Sequence, residues 1–336
     1  MDTQSCAVAS RFECEVSCSL CPDVVEWNPQ ADSSHLLAYG TYQLDEARAV
    51  RRGALHLAHL ARNDDGSLEL RASSELEIPG VYDVAWSDAS VASSEVSCGV
   101  LAVAAADGAL RVLRCSTDTA LPRLEELTAC LLVDGAILTH VTWGVGDSRG
   151  LAAVGQDGVA RHVVMRHDGV AEVSSRASHE LEAWCVEVPA SHPHLLLSGA
   201  DDGHLIGWDV REPPDGPPAL VNRRAHEAGV TALACDPFRE HHLATGSYDE
   251  RVRTFDLRLC GRGPCAETEK LGDGAYHLAW HPCLRGLLAV AAMRSGLPLL
   301  GTAEAADGED CGPEVLRELG RYAADAEEGR HGSLAY

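Results

Sequence analysis

Short apolar runs, broken by turn residues, recur along most of this chain. Between residues 179 and 258 the pattern occurs twice in tandem. The first copy reads L-L-L-S-G-A-D-D-G-H-L-I-G-W-D-V-R and ends at Arg211; the second reads H-L-A-T-G-S-Y-D-E-R-V-R-T-F-D-L-R and ends at Arg258. His179 and His226 are 47 residues apart, as are Asp202 and Asp249. A fixed offset of this size marks a repeat architecture, and period-two runs joined by Asp-Gly or Asp-Glu read as β-hairpins.

Elsewhere the same phrase is weaker. Trp27, Trp86, Trp143, Val188, Cys235 and Trp280 occupy one position of successive first strands, at intervals of 59, 57, 45, 47 and 45 residues. The fold expected is all-β, a WD-repeat β-propeller in a single domain over residues 1–336, with blades beginning near 24, 81, 138, 179, 226 and 274. Residues 302–330 are acidic and poor in bulky apolar side chains, and read as an insertion, with V-L-R-E-L a strand or a helical turn within it. The closing H-G-S-L-A-Y resembles another first strand, so seven blades are expected with the last one truncated.

Each tandem copy predicts a buried polar network. His179, Ser198, Asp202 and Trp208 would hydrogen-bond together, since buried polar groups need partners. His226, Thr245 and Asp249 repeat the set, with Phe255 in place of the Trp. These residues are read as structural.

Composition narrows the partners. The net charge of -24 argues against direct nucleic-acid binding and permits a cationic partner. No apolar run reaches membrane-spanning length, and no secretory leader is evident, so a cytoplasmic protein is expected, with no membrane contact. Thirteen cysteines without a leader suggest reduced thiols. Cys6, Cys14, Cys18 and Cys21 lack a second Cys or His pair at zinc-like spacing, so no metal is expected. Gly146-Asp147-Ser148-Arg149-Gly150 matches a nucleophile elbow, but a strand follows where that motif needs a helix.

The best candidate for chemistry is His179-Glu180-Leu181-Glu182-Ala183-Trp184. First strands line a propeller's channel, and Glu182 and Trp184 alternate with Ala183, which predicts that they share one side. A carboxylate beside an indole suits a cation. Asp201 and Tyr248 fall in equivalent turns, and Tyr42 holds the corresponding place in blade one.

With G-T-Y-Q-L, H-E-L-E-A-W, S-G-A-D-D-G-H-L-I-G-W-D-V-R and R-E-H-H-L-A-T-G-S-Y-D-E in this order, the chain resembles the WD-repeat family of diphthamide biosynthesis, the diphthine methyl ester hydrolases. The resemblance covers essentially the whole chain. It departs at Met293-Arg294-Ser295-Gly296, where the family tends to read M-H-S-G, and at Phe255. The resemblance implies hydrolysis of the methyl ester of diphthine on translation elongation factor 2, giving diphthine and methanol, with no cofactor and a monomeric enzyme. Glu182 would be the general base or the counter-charge to the substrate's quaternary ammonium; Trp184, Tyr248, Asp201 and Tyr42 would wall the site. A non-catalytic WD-repeat adaptor that binds a protein through the same face is the alternative, because propellers host both roles.

Overall fold

The computed structural model describes residues 18–87, 97–116, 121–144, 150–166, 169–303 and 315–322. They form six four-stranded antiparallel sheets, each a meander in chain order. The first strands are Cys21–Trp27, Val81–Trp86, Leu138–Trp143, Ala183–Glu187, Val230–Cys235 and Ala275–Trp280. Each touches the first strand of the next blade, from blade one through blade six. Among the described residues no helix is long and apolar enough to cross a membrane.

The repeating turn between second and third strands follows from its residues. Asp107, Asp157, Asp202 and Asp249 each accept a hydrogen bond at Oδ1 from the backbone N–H two residues on, at 3.0–3.2 Å. The residue between adopts a positive φ: Gly108, Gly158 and Gly203 at 78°, 71° and 73°, and Glu250 at 70°. Glycine takes this conformation without steric cost, which is why Asp-Gly marks the hairpin.

Blades are joined at the far end of their first strands by an indole clamp. The Nε1–H of Trp86 donates to the Glu26 carbonyl at 3.2 Å, that of Trp143 to Ala85 at 2.9 Å, and that of Trp280 to Ala234 at 3.0 Å. Val188 and Cys235 occupy the equivalent positions in blades four and five and cannot make this bond. A second link joins blade five to blade six through Thr231, whose hydroxyl donates to the Ala275 carbonyl, and Thr139 likewise reaches from blade three to Ala183. The core between blades is built of small and branched residues such as Ala153, Val154, Leu196 and Val290, all fully buried.

Two expectations change, and a third falls outside the described residues. Val315–Tyr322, placed inside an insertion by the sequence, is the fourth strand of blade six and pairs with Leu297–Ala303. Its exposed charges sit on an edge strand, where alternation needs only one buried face. Cys98 and Cys115, expected as thiols, are joined as a disulfide, their Cα atoms 5.4 Å apart across paired strands. The described residues contain six blades, and residues 323–336, which carry the seventh-blade signal, lie outside them, as do Cys6, Cys14 and Ser148.

Candidate functional site at the channel mouth

Every first strand is irregular near its start. Pairing with the second strand slips by one residue at Asp23, Tyr82, Thr139, Trp184, Thr231 and Tyr276. A bulge of this kind re-aims a side chain. The six bulge residues form one tier of a collar. A second tier follows the second strands: Tyr42, Ala106, Gln156, Asp201, Tyr248 and Met293. The backbone N–H groups of Ala106, Gln156, Asp201, Tyr248 and Met293 bond to the carbonyls of Gly80, Ile137, Glu182, Gly229 and Gly274, at 2.8–3.1 Å. Glu182 is therefore the one charged side chain in this row of five, the others being three glycines and Ile137, and blade one sets Cys21 opposite Tyr42.

That row explains where the aromatic rings go. A Cβ at Gly274 would lie 3.2 Å from Tyr248 Cδ1, and one at Gly229 would lie 3.2 Å from Tyr248 Cδ2. Two glycines make the slot for the Tyr248 ring, which stays 40% exposed. Gly80 does the same for Tyr42, whose ring meets Tyr82 edge-on at 4.9 Å between centroids.

Glu182 and Asp201 line an open pocket of ≈ 470 Å³ with Gln156, Asp157, Glu180 and Leu181. Gln156 Nε2 donates to Glu182 Oε2 at 3.4 Å, and Trp184 Nε1 donates to Asp201 Oδ1 at 2.7 Å. The Tyr248 hydroxyl is held above its usual acidity range by burial, then by the charges of Asp201 and Glu182. Tyr276, enclosed by the blades yet 36% exposed to the channel, is shifted up by that enclosure, then by Asp23, Tyr82 and Tyr248. The collar thus carries Asp23, Glu182 and Asp201 among Tyr42, Tyr82, Trp184, Tyr248 and Tyr276. Carboxylates with electron-rich ring faces recognise cations.

Below the bulges lies a third tier that sequence reasoning missed. Asp83, His140 and His277 hold the same first-strand position in blades two, three and six. Asp83 Oδ2 accepts the Val141 N–H at 2.9 Å and lies 3.5 Å from His140 Nδ1. Burial pushes Asp83 up to about 7 and His140 down to about 4. Glu187, one tier deeper, is raised to about 7 by burial and then by the charge of Asp83. Only the ring register brings these residues together, so no spacing in the chain announces them.

The predicted side-chain placements fare unevenly. Glu182, Trp184, Asp201 and Tyr248 come together. Glu182 and Trp184 do not share a strand face by alternation, because the strand begins at Ala183 and Trp184 occupies the bulge. Tyr42 sits with Tyr82, and of the predicted walls only Asp201 lines the pocket itself, Trp184, Tyr248 and Tyr42 lying outside its lining. In the first polar network His179 Nδ1 meets Asp202 Oδ2 at 3.0 Å and His179 Nε2 meets Ser198 Oγ at 2.9 Å. Trp208 does not join them: its buried Nε1 has no partner among the described residues. The register sets Ser198 opposite Ile206 and Trp208 opposite Leu196, so the indole is offset from the hydroxyl. In the second network His226 bonds Asp249 at 3.0 Å and Thr245 at 2.7 Å. Arg253, at the place of Ile206, adds a bond to Asp249 at 2.6 Å.

The WD domain, G-beta repeat family matches residues 219–256. Diphthine methyltransferase of Homo sapiens is 31% identical over 86% of this chain and 68% of that protein. The chain belongs to the diphthine methyltransferase family. The Mus musculus member is 32% identical over 86% of this chain, which spans 63% of its length, slightly under two thirds. The Dictyostelium discoideum homolog is 24% identical over 70% of this chain. Among solved structures, Sqt1 of Chaetomium thermophilum superposes with a TM-score of 0.61 at 15% identity, over 84% of this chain and 69% of that one. A chain of the mitotic checkpoint complex superposes at 0.59 and 16% identity, over 95% of this chain and 86% of its own. These two likenesses establish the propeller fold and nothing of the chemistry.

Proposed function

We propose that this family member acts in diphthamide biosynthesis as a carboxylic ester hydrolase, removing the methyl ester of diphthine on translation elongation factor 2. The observation that carries the reading is the collar, where Glu182 and Asp201 line an open pocket, Trp184 bonds Asp201, and Tyr248 lies within reach of both charges. A quaternary ammonium suits such a wall, because it offers charge and no hydrogen-bond donor. Water would add to the ester carbonyl carbon, the acyl–oxygen bond would break, and methanol would leave carrying a proton. Glu182 takes the water's proton or balances the ammonium. The reading further places the protein in the cytoplasm as a monomer with elongation factor 2 as its protein substrate.

A seventh blade belongs to the same reading. It is supported by the first strands of blades six and one, which make no contact comparable to those of neighbouring blades. Trp27, at the clamp position, also lacks a carbonyl partner among the described residues, in contrast to Trp86, Trp143 and Trp280.

The test is incubation of the protein with elongation factor 2 carrying the methylated intermediate, with no methyl donor present. Mass spectrometry should show loss of one methylene unit and release of methanol. Glu182→Gln keeps the shape and removes the charge. Loss of a general base lowers the rate by roughly 10²–10⁴-fold; loss of a counter-charge alone raises KM. An unmodified rate and affinity would move the site elsewhere on the ring. The adaptor reading is favoured by Leu181, 52% exposed between two glutamates on this face. It predicts stable binding of elongation factor 2 without turnover.

A further inference from the structure

At the opposite end of the first strands, two loops meet. One joins the first and second strands of blade four and carries Ser191 and His192. The other joins the same strands of blade five and carries Glu240 and His241. One ligand atom from each of His192, Glu240 and His241 lies within 4.8 Å of the others. The two imidazole rings are 4.8 Å apart between centroids and tilted by 44°.

Hydrogen bonding fixes which nitrogen His192 can offer. Ser191 Oγ donates its single proton to the Glu240 carbonyl at 2.8 Å. The same oxygen lies 2.8 Å from His192 Nδ1 and must therefore accept from it. Nδ1 carries the proton and Nε2 presents its lone pair. Orientation of a ligating imidazole by a bond to its other nitrogen is the usual support for metal binding. Both loops are tethered: the His192 N–H donates to the Pro189 carbonyl and the His241 carbonyl accepts from Leu257, each at 2.8 Å.

We propose that His192, Glu240 and His241 form a site for a divalent transition metal of the zinc type, closed by water, which brackets blades four and five. Two imidazoles and a carboxylate select zinc over magnesium or calcium, which prefer all-oxygen shells. The position gives the bracket a purpose. This is the end of the blades at which the indole clamp works, and Cys235 leaves blades four and five without it. The ligands come from loops whose residues are 49 positions apart in the chain, so no Cys/His spacing reveals them.

The test uses untagged, metal-stripped protein with every accessible thiol blocked by alkylation, among the described residues Cys21, Cys265 and Cys283. Calorimetric titration with zinc should give one site per chain, and zinc should raise the melting temperature while magnesium at the same concentration does not. The double variant His192→Ala/His241→Ala should melt like the parent without metal and lose zinc affinity by more than about 100-fold. Ser191→Ala, which removes only the orienting bond, should weaken affinity by about 10-fold. Zinc binding that survives the double variant, an equal response to magnesium, or no zinc binding by the parent would each overturn the proposal.

Discussion

Asp249 and Asp83 are both buried, 9% and 5% exposed, in one fold built from one repeat, yet their acidities move in opposite directions. Burial pushes both up. At Asp249 the bonds from His226, the Glu227 N–H and Arg253 overcome it and hold the carboxyl well below the usual carboxylate range. At Asp83 burial outweighs the Val141 N–H and the charge of His277, while burial also pushes His140 down, and the carboxyl stays protonatable up to about 7. Burial alone therefore does not set an aspartate's charge; the count of donors around it does. The turn aspartate is a fixed anion that braces a blade. The channel aspartate is poised near neutrality, beneath a collar suited to a cation.

Removing the guanidinium breaks the comparison most severely. Arg253 and Asp249 form a buried pair at 2.6 Å, with Arg253 also 3.0 Å from Glu267. Arg253→Met keeps the apolar stem and leaves Asp249 short of its cation. Loss of one member of such a pair costs about 3–5 kcal/mol. Urea denaturation should show that loss, and a drop under about 1 kcal/mol would mean that His226 alone suffices, as His179 does for Asp202.

The channel carboxylate can be sharpened by pH. Its folded pKa of about 7 lies above the unfolded value near 3.9, so its ionisation opposes folding. The stability it supports is full below about pH 4 and is lost as pH rises through about 7. Asp83→Asn keeps an oxygen for the Val141 N–H and removes the ionisation. The decline between pH 4 and pH 8 should then shrink by about 1–3 kcal/mol, discounted for channel water. The depressed Asp249 has the opposite sign: its own contribution is present above about pH 4 and fails only in stronger acid. An Asp83→Asn slope equal to that of the parent would show that Asp83 is already ionised at pH 4 in the fold.

These two aspartates also mark how far the chain can be read unaided. Asp249 was legible because its partners lie at fixed offsets: His226 and Thr245 stand in the repeat phrase that makes the blade. Arg253 stands four residues past Asp249, a spacing that Arg111 and Arg161 repeat from Asp107 and Asp157, whereas Trp208 stays outside its network. Glu182 and Trp184 are legible from the entry of the fourth first strand, and Asp201 and Tyr248 from equivalent turns, although their geometry comes from a bulge that leaves no mark in the residue types. Asp83, His140 and His277 were out of reach. Each is unremarkable in its own blade, and only closure of several blades around one axis makes them neighbours.

The smallest effect concerns the turn that holds Asp249 in place. In the three turns before it, glycine fills the position with φ between 71° and 78°; here Glu250 sits at 70°. An L-residue in that conformation costs roughly 1–2 kcal/mol. Glu250→Gly relieves the cost, but frees the unfolded chain by about 0.5–1 kcal/mol. The Lys270 ammonium, 3.6 Å from Glu250 and itself 60% exposed, contributes little. The variant should gain up to about 1 kcal/mol while Asp249 keeps its bonds, since the Arg251 N–H and Asp249 carboxylate are untouched. The reciprocal change is harsher: a Cβ at Gly203 would lie 2.9 Å from the His226 carbonyl oxygen, so Gly203→Ala combines backbone strain with a clash. If Glu250→Gly instead lowers the denaturation midpoint, the glutamate is held in this conformation by contacts worth more than the strain, and the turn of blade five differs from its neighbours by design of its side chain and not by tolerance of it.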